Sequence, residues 1–176
     1  VELLRPLKPS GIRIALFDFD GTLSLIRRGW QEIMIRFMID TLADLKTGET
    51  EEELFAVVED YVVRLTGKQT IYQMIQLAAE ISRRGGTPLD PIAYKREYHN
   101  RLWTLIRSRV EGLRAGTEKS EDWLLPGSIE FLDELKRRGV RLFLASGTDA
   151  QYVLDEVNLL GLTPYFSEGI HGAQDD

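Results

Sequence analysis

A chain of 176 residues with 43% apolar and 28% charged side chains suits one packed domain of ordinary size, or a compact core carrying an insertion. That composition excludes a disordered chain or a fibre. Its net charge of −6, from 22 basic and 28 acidic residues, would repel a polyanion, so nucleic acid is not an expected partner. Cysteine is absent, which removes disulfides, thiolate metal sites and thiol nucleophiles together and fits a cytoplasmic location.

The opening VELLRPLKPSG has neither the apolar stretch nor the cleavage pattern of a signal peptide. No run approaches the roughly 18 unbroken apolar residues of a membrane span, so no membrane is expected either. Ile12 to Asp18 (IRIALFD) is short and mostly apolar, follows Pro9-Ser10-Gly11, and predicts a strand buried on both faces. It runs into Asp18-Phe19-Asp20-Gly21-Thr22. Residues two apart on an extended segment share a side, so the two carboxylates are expected to face one space, where their repulsion calls for a cation or a proton between them. A calcium loop would need Gly sixth and Glu twelfth, whereas Gly21 is fourth and Gly29 twelfth. No G-x-x-x-x-G-K-[ST] phosphate loop occurs anywhere, and the acidic pair of a response-regulator receiver is adjacent rather than alternate.

Gly29–Leu45, Glu51–Leu65, Thr70–Arg84 and Pro91–Arg109 carry broad apolar stripes that predict helices, Leu54, Val57, Val58, Tyr61 and Leu65 among them. Together they predict a helical module inserted into a sheet domain, with Glu111–Asp122 (EGLRAGTEKSED) as a polar return linker. Ile129, Leu132 and Leu135 then predict a helix closed by Gly139. Val140–Ala145 predicts a second buried strand, and Val153, Val157 and Leu160 a helix capped by Thr148 or Asp149 and ended by Gly161. Strand, helix, strand, helix is the order of a parallel α/β sheet.

The string ALFDFDGTLS resembles motif I of the haloacid dehalogenase superfamily, and LFLASGT resembles its motif II, with Ser146 just after an apolar strand. The segment LLPGSIEFLDELKRRGVRLFLASGTDAQYVLDEVNLLGLTPYF is similar to the phosphoglycolate phosphatase and β-phosphoglucomutase branch. The resemblance implies an α/β fold with a Rossmann-like parallel core, residues 1–24 and 112–176, and an inserted all-α cap of the C1 type, residues 25–111. It implies Asp18 as nucleophile forming an aspartyl-phosphate and Asp20 as general acid and base. It further implies Mg²⁺ on the Asp18 carboxylate and the Asp20 carbonyl, with the phosphoryl group held by Ser146 and by backbone N–H groups of Gly21, Thr22 and Gly147. Relatives that cleave carbon–halogen bonds or phosphonates lack the second aspartate, so Asp20 points to phosphate esters.

The expected activity is thus Mg²⁺-dependent hydrolysis of a small phosphorylated metabolite. A sugar phosphomutase is the nearest alternative, and a non-catalytic domain that binds phosphorylated ligands or proteins is an alternative of another class. No Lys follows Lys136 and no Arg follows Arg141, so the family's basic motif III is missing, and Asp175-Asp176 come too soon after Ser146 for the acidic motif IV. With a start at Val1 and an end at GAQDD, this predicts a core truncated at its C-terminus and joined to further sequence. Arg27 and Arg28 are candidates to greet an anionic substrate, against the blander reading of surface solvation. Trp30, Met34, Phe37 and Met38 are expected to serve chiefly as packing, with a substrate pocket as the sharper alternative, and Lys68, Tyr72 and Lys95 have the same standing. His99 and His171 are too isolated for a metal site and are assigned no role.

Overall fold

A computed structural model describes residues 11–174. Strand β1 (Ile14–Phe17) is followed by four helices, α1 (Trp30–Ala43), α2 (Glu51–Arg64), α3 (Thr70–Arg83) and α4 (Pro91–Ala115). The chain then forms α5 (Ser128–Arg137), β2 (Arg141–Asp149), α6 (Ala150–Leu159) and β3 (Ile170–Ala173). The strands make a parallel sheet in the order β1-β2-β3, with Phe17 beside Leu144 and Leu144 beside Ile170. The α/β class and the helical insertion between the first two strands agree with expectation. The third strand, in the Gly-containing IHGA, is too short and too weakly apolar to announce itself in the sequence.

β1 departs from the expected double burial. It stands at the sheet edge, and its side chains alternate: Phe17 packs edge-on against Phe131 and Phe166, while Ile14 and Leu16 are exposed. Among the described residues nothing covers the Leu16 side, so continuous apolarity here does not mean two buried faces. β2 also runs four residues past Ala145, through a register irregularity that carries Ser146, Gly147 and Thr148 to the end of the sheet.

Local chemistry explains the helix ends. The Thr50 hydroxyl accepts from the Glu53 N–H and the Glu53 carboxylate accepts from the Thr50 N–H, a reciprocal box that starts α2. Asp90 accepts from the Ile92 N–H ahead of Pro91 to start α4. α4 continues through Glu111–Ala115, where the polar composition predicts a linker, because Val110 stays buried and Leu113 packs on the core; Gly116 then ends it. Gly139 and Gly161 follow α5 and α6 as predicted. Asp149 does precede α6, but its side chain makes no capping bond and goes to Lys95 instead.

The two crossings between sheet and insertion lie side by side. The Leu25 N–H donates to the Trp123 carbonyl at 2.8 Å and the Leu125 N–H to the Leu23 carbonyl at 2.9 Å, so outgoing and returning chain form a short antiparallel arm. One apolar cluster runs from Leu144 in β2 and Val153 in α6, through Phe19 and Ile26, to Met38 and Leu102 in the inserted helices. Among the described residues no helix is long and apolar enough to cross a membrane.

Candidate active site

Where β1 and β2 end, the inserted helices overhang the sheet and leave a cavity of about 340 Å³, within the size range of small-molecule sites. Asp18, Asp20, Gly21 and Arg27 line it from the first crossing, and Ser146, Gly147, Thr148 and Asp149 from the end of β2. Strand ends are where open parallel sheets leave room for ligands, since the helices that follow diverge there. Asp18 and Asp20 therefore share one space, as their spacing predicts.

Their environments differ. Asp18 is exposed and accepts a hydrogen bond on Oδ2 from the Thr22 hydroxyl at 3.0 Å. Asp20 lies deeper: its Oδ2 accepts from Thr148 Oγ1 at 2.8 Å and from Ser146 Oγ at 3.2 Å, while its buried Oδ1 has no hydrogen-bond partner among the described residues. Burial pushes the Asp20 carboxyl above its ordinary value, against the opposing pull of Arg27 and the two hydroxyls, and the nearby Asp18 adds to the rise. A carboxyl biased toward its protonated form beside one open to solvent is the division that acid and nucleophile roles need.

Several expected groups sit elsewhere. The Gly21 N–H donates to the Ser24 carbonyl at 2.9 Å and the Thr22 N–H to the Phe19 carbonyl at 3.2 Å, so both amides close the turn rather than face the cavity. Gly21 itself holds φ of 76°, which favours glycine. The Ser146 hydroxyl donates to Asp20 and accepts from the Thr148 N–H at 3.0 Å. Arg28 is exposed and lies outside the cavity lining, and Thr22 touches it only through Asp18.

Arg27 is buried and its guanidinium is engaged by Glu156, Nη2 to Oε1 at 2.6 Å and Nε to Oε1 at 3.0 Å, leaving Nε 3.8 Å from Asp20 Oδ1. Burial raises the Glu156 carboxyl despite that cation, and the paired carboxylate holds the Arg27 proton more tightly. Both Glu156 and Thr148 escape sequence reasoning. Glu156 is 129 positions from Arg27 and looks like a surface residue of an amphipathic helix. For Thr148 the one signal is its place two residues after Ser146.

Of the apolar candidates, Trp30 and Met34 line the cavity, while Phe37 and Met38 are buried in the core. Lys68 and Lys95 line it too, Lys95 with Nζ 2.6 Å from Asp149 Oδ1, whereas Tyr72 is exposed away from it. His99 also lines it, stacked on Tyr152 at 4.2 Å, with burial and the neighbouring Arg27 holding its pKa below the ordinary value. His171 is an exposed β3 residue. At Gly147 insertion and sheet approach closely, since a Cβ there would stand 2.5 Å from the Lys68 carbonyl oxygen. Asp175 and Asp176 lie outside the described residues.

Among the described residues no third His, Cys, Asp or Glu joins the two aspartates in a ligand cluster. Asp18 lines the cavity, and its Oδ1 has no hydrogen-bond partner among the described residues. Magnesium is commonly held by one or two carboxylates with waters and substrate phosphate completing its shell, so this hard-oxygen set fits such an ion.

The family model for haloacid dehalogenase-like hydrolases matches residues 12–176, and the chain belongs to that family. Similar solved structures include a "predicted phosphoglycolate phosphatase" from Haemophilus somnus 129PT, 17% identical with a TM-score of 0.54 over 96% of this chain and 66% of that one. CbbY from Rhodobacter sphaeroides in complex with phosphate is 25% identical with a TM-score of 0.50, over 92% of this chain and 64% of that one. A mutant of the same protein in complex with xylulose-(1,5)bisphosphate is 24% identical, with the same TM-score and coverage. Across these and four further solved matches the chain spans 61% to 67% of the other protein's length. No curated protein sequence matches it significantly.

Proposed function

We propose that the protein hydrolyses a small phosphate monoester with Mg²⁺, through a phosphorylated Asp18. The observation that carries this reading is the unequal pair at the strand end: one solvent-open carboxylate and one buried carboxyl biased toward protonation, sharing a cavity. Family membership and the phosphate-bound CbbY support the same chemistry.

In the first half-reaction an Asp18 oxygen bonds to phosphorus as the ester P–O bond breaks, and Asp20 delivers its proton to the departing alkoxide. In the second, Asp20, now ionised, takes a proton from a water whose oxygen attacks phosphorus. The P–O bond to Asp18 breaks, and inorganic phosphate leaves. The Thr22 hydroxyl orients Asp18, while Thr148 and Ser146 orient Asp20. The Asp18 carboxylate and the Asp20 carbonyl would hold Mg²⁺, which when bound offsets the charge of the phosphoryl oxygens. Residues 25–111 act as a cap over the sheet domain, and their overhang limits water at the reacting atoms.

Asp18→Asn is expected to abolish hydrolysis of an aryl phosphate in Mg²⁺ buffer. Turnover at the wild-type rate would sink the assignment. Product analysis with a hexose 1-phosphate separates release of inorganic phosphate from return of the phosphoryl group to sugar.

A further inference from the structure

Among the polar side chains of the inserted helices that line the cavity and take no part in the proposed chemistry are Gln73 in α3 and Tyr98 in α4. Gln73 is 2% exposed and Tyr98 4%. Among the described residues neither side chain makes a hydrogen bond to the protein, and neither polar end is sealed from solvent. Gln73 therefore keeps some exposure at its amide, and the residue lines the cavity. Folding that buries an amide without a protein partner loses stability, and such groups call for a ligand or water to satisfy them.

Charge narrows what that ligand is. Two of the cations in the wall are already paired, Arg27 with Glu156 and Lys95 with Asp149. Lys68, at the exposed rim, is the lining cation without an ion pair among the described residues. Lys68 together with a divalent ion balances one phosphoryl group, and the paired cations Arg27 and Lys95 leave little positive charge in the wall for a second anionic group. Burial keeps the Tyr98 phenol protonated well beyond its ordinary range, so it can donate as well as accept, and an amide does both.

We propose that Gln73 and Tyr98 are specificity-determining residues that hydrogen-bond hydroxyl groups of an uncharged leaving alcohol. The substrate is then the monophosphate of a small polyol or sugar-like alcohol, rather than of a hydroxy acid or a second phosphate ester. This rests on the hydrolase reading for the position of the phosphoryl group, and it is tested by binding so that the two can fail separately. A site built around hydroxyl partners rejects the analogue that lacks them, because its own polar groups are then left unpaired.

The test is calorimetric titration of the full chain, as Asp18→Asn to suppress turnover, with glycerol 1-phosphate, propyl phosphate and 2-phosphoglycolate in Mg²⁺ buffer. Glycerol 1-phosphate is expected to bind at least about tenfold more tightly than propyl phosphate, and 2-phosphoglycolate no more tightly than propyl phosphate. Adding Gln73→Leu or Tyr98→Phe is expected to shrink the glycerol-to-propyl ratio by about five- to tenfold. Equal affinity for the glycerol and propyl esters, or tightest binding of 2-phosphoglycolate, overturns the proposal whether or not the variants fold. A chain that shows the ratio but whose wild type hydrolyses no ester would lose the hydrolase reading and keep this one. Binding of none of the three overturns both.

Discussion

Asp20 Oδ1 is a buried oxygen without a hydrogen-bond partner among the described residues, a costly arrangement whose return under the proposed mechanism is a proton held ready for the leaving group. Asp20→Asn removes the charge and the transferable proton while keeping the shape. It should lower kcat/KM for an alkyl phosphate by about 10²- to 10⁴-fold and raise the thermal midpoint, as calorimetry and steady-state kinetics would record. A second residue-scale consequence concerns Glu49, whose carboxylate accepts from Arg84 Nε and Nη2, both at 2.7 Å. Those bonds and one from Thr47 hold the Glu49 carboxyl below its ordinary value. A depressed folded value means stability that is present above the unfolded carboxylate value and lost as pH falls through the folded one. Urea unfolding of Glu49→Gln should therefore show a deficit at pH 7, under about 1 kcal/mol because the pair is partly open to water, that shrinks as pH falls through the depressed folded value. Arg84 matters more, because it also holds the buried Glu80 at 2.6 Å; Arg84→Leu is expected to cost about 3 kcal/mol.

Elements meet at Gly147, where the chain joining α2 to α3 lies against the end of β2. A methyl group there has backbone in its way, so Gly147→Ala should drive the Lys68 segment off the sheet end. We expect kcat/KM to fall by about 10²-fold with little change in the thermal midpoint, and amide exchange to quicken across Lys68–Tyr72. Unchanged exchange there would count against the contact. Element types were largely legible from periodicity: the stripes of α1 to α4 and the apolar runs of β1 and β2 stand out because packing repeats along them. Ends were less so. α4 outran its predicted limit by six residues, since Glu111, Arg114 and Ala115 are good helix formers whose polarity imitates a linker. Strand β3 was invisible because pairing with β2, rather than its own composition, makes IHGA a strand.

At the scale of the molecule, β1 ends one edge of the sheet with Ile14 and Leu16 exposed, while Leu144 beside it in β2 is fully buried. Leu16→Lys should therefore shift the urea midpoint by less than the equivalent of about 0.5 kcal/mol, whereas Leu144→Lys should prevent folding, as circular dichroism would show. A comparable loss from both would mean that the Leu16 side is covered in solution. The alternation Asp18-x-Asp20 before a Gly-Thr turn, the polar Ser-Gly-Thr after a second apolar run and the long helical tract between them were enough to determine the α/β class, the family and the location of two carboxylates at a strand end. Those are local properties, written in spacing and periodicity. Which groups surround the carboxylates was decided only by tertiary structure. Folding brings Thr148 to Asp20 and Glu156 to Arg27 across more than a hundred positions, and turns Gln73 and Tyr98 toward the same cavity from two different helices. Burial and pairing set the character of each charged group, and neither exists until the distant segments meet.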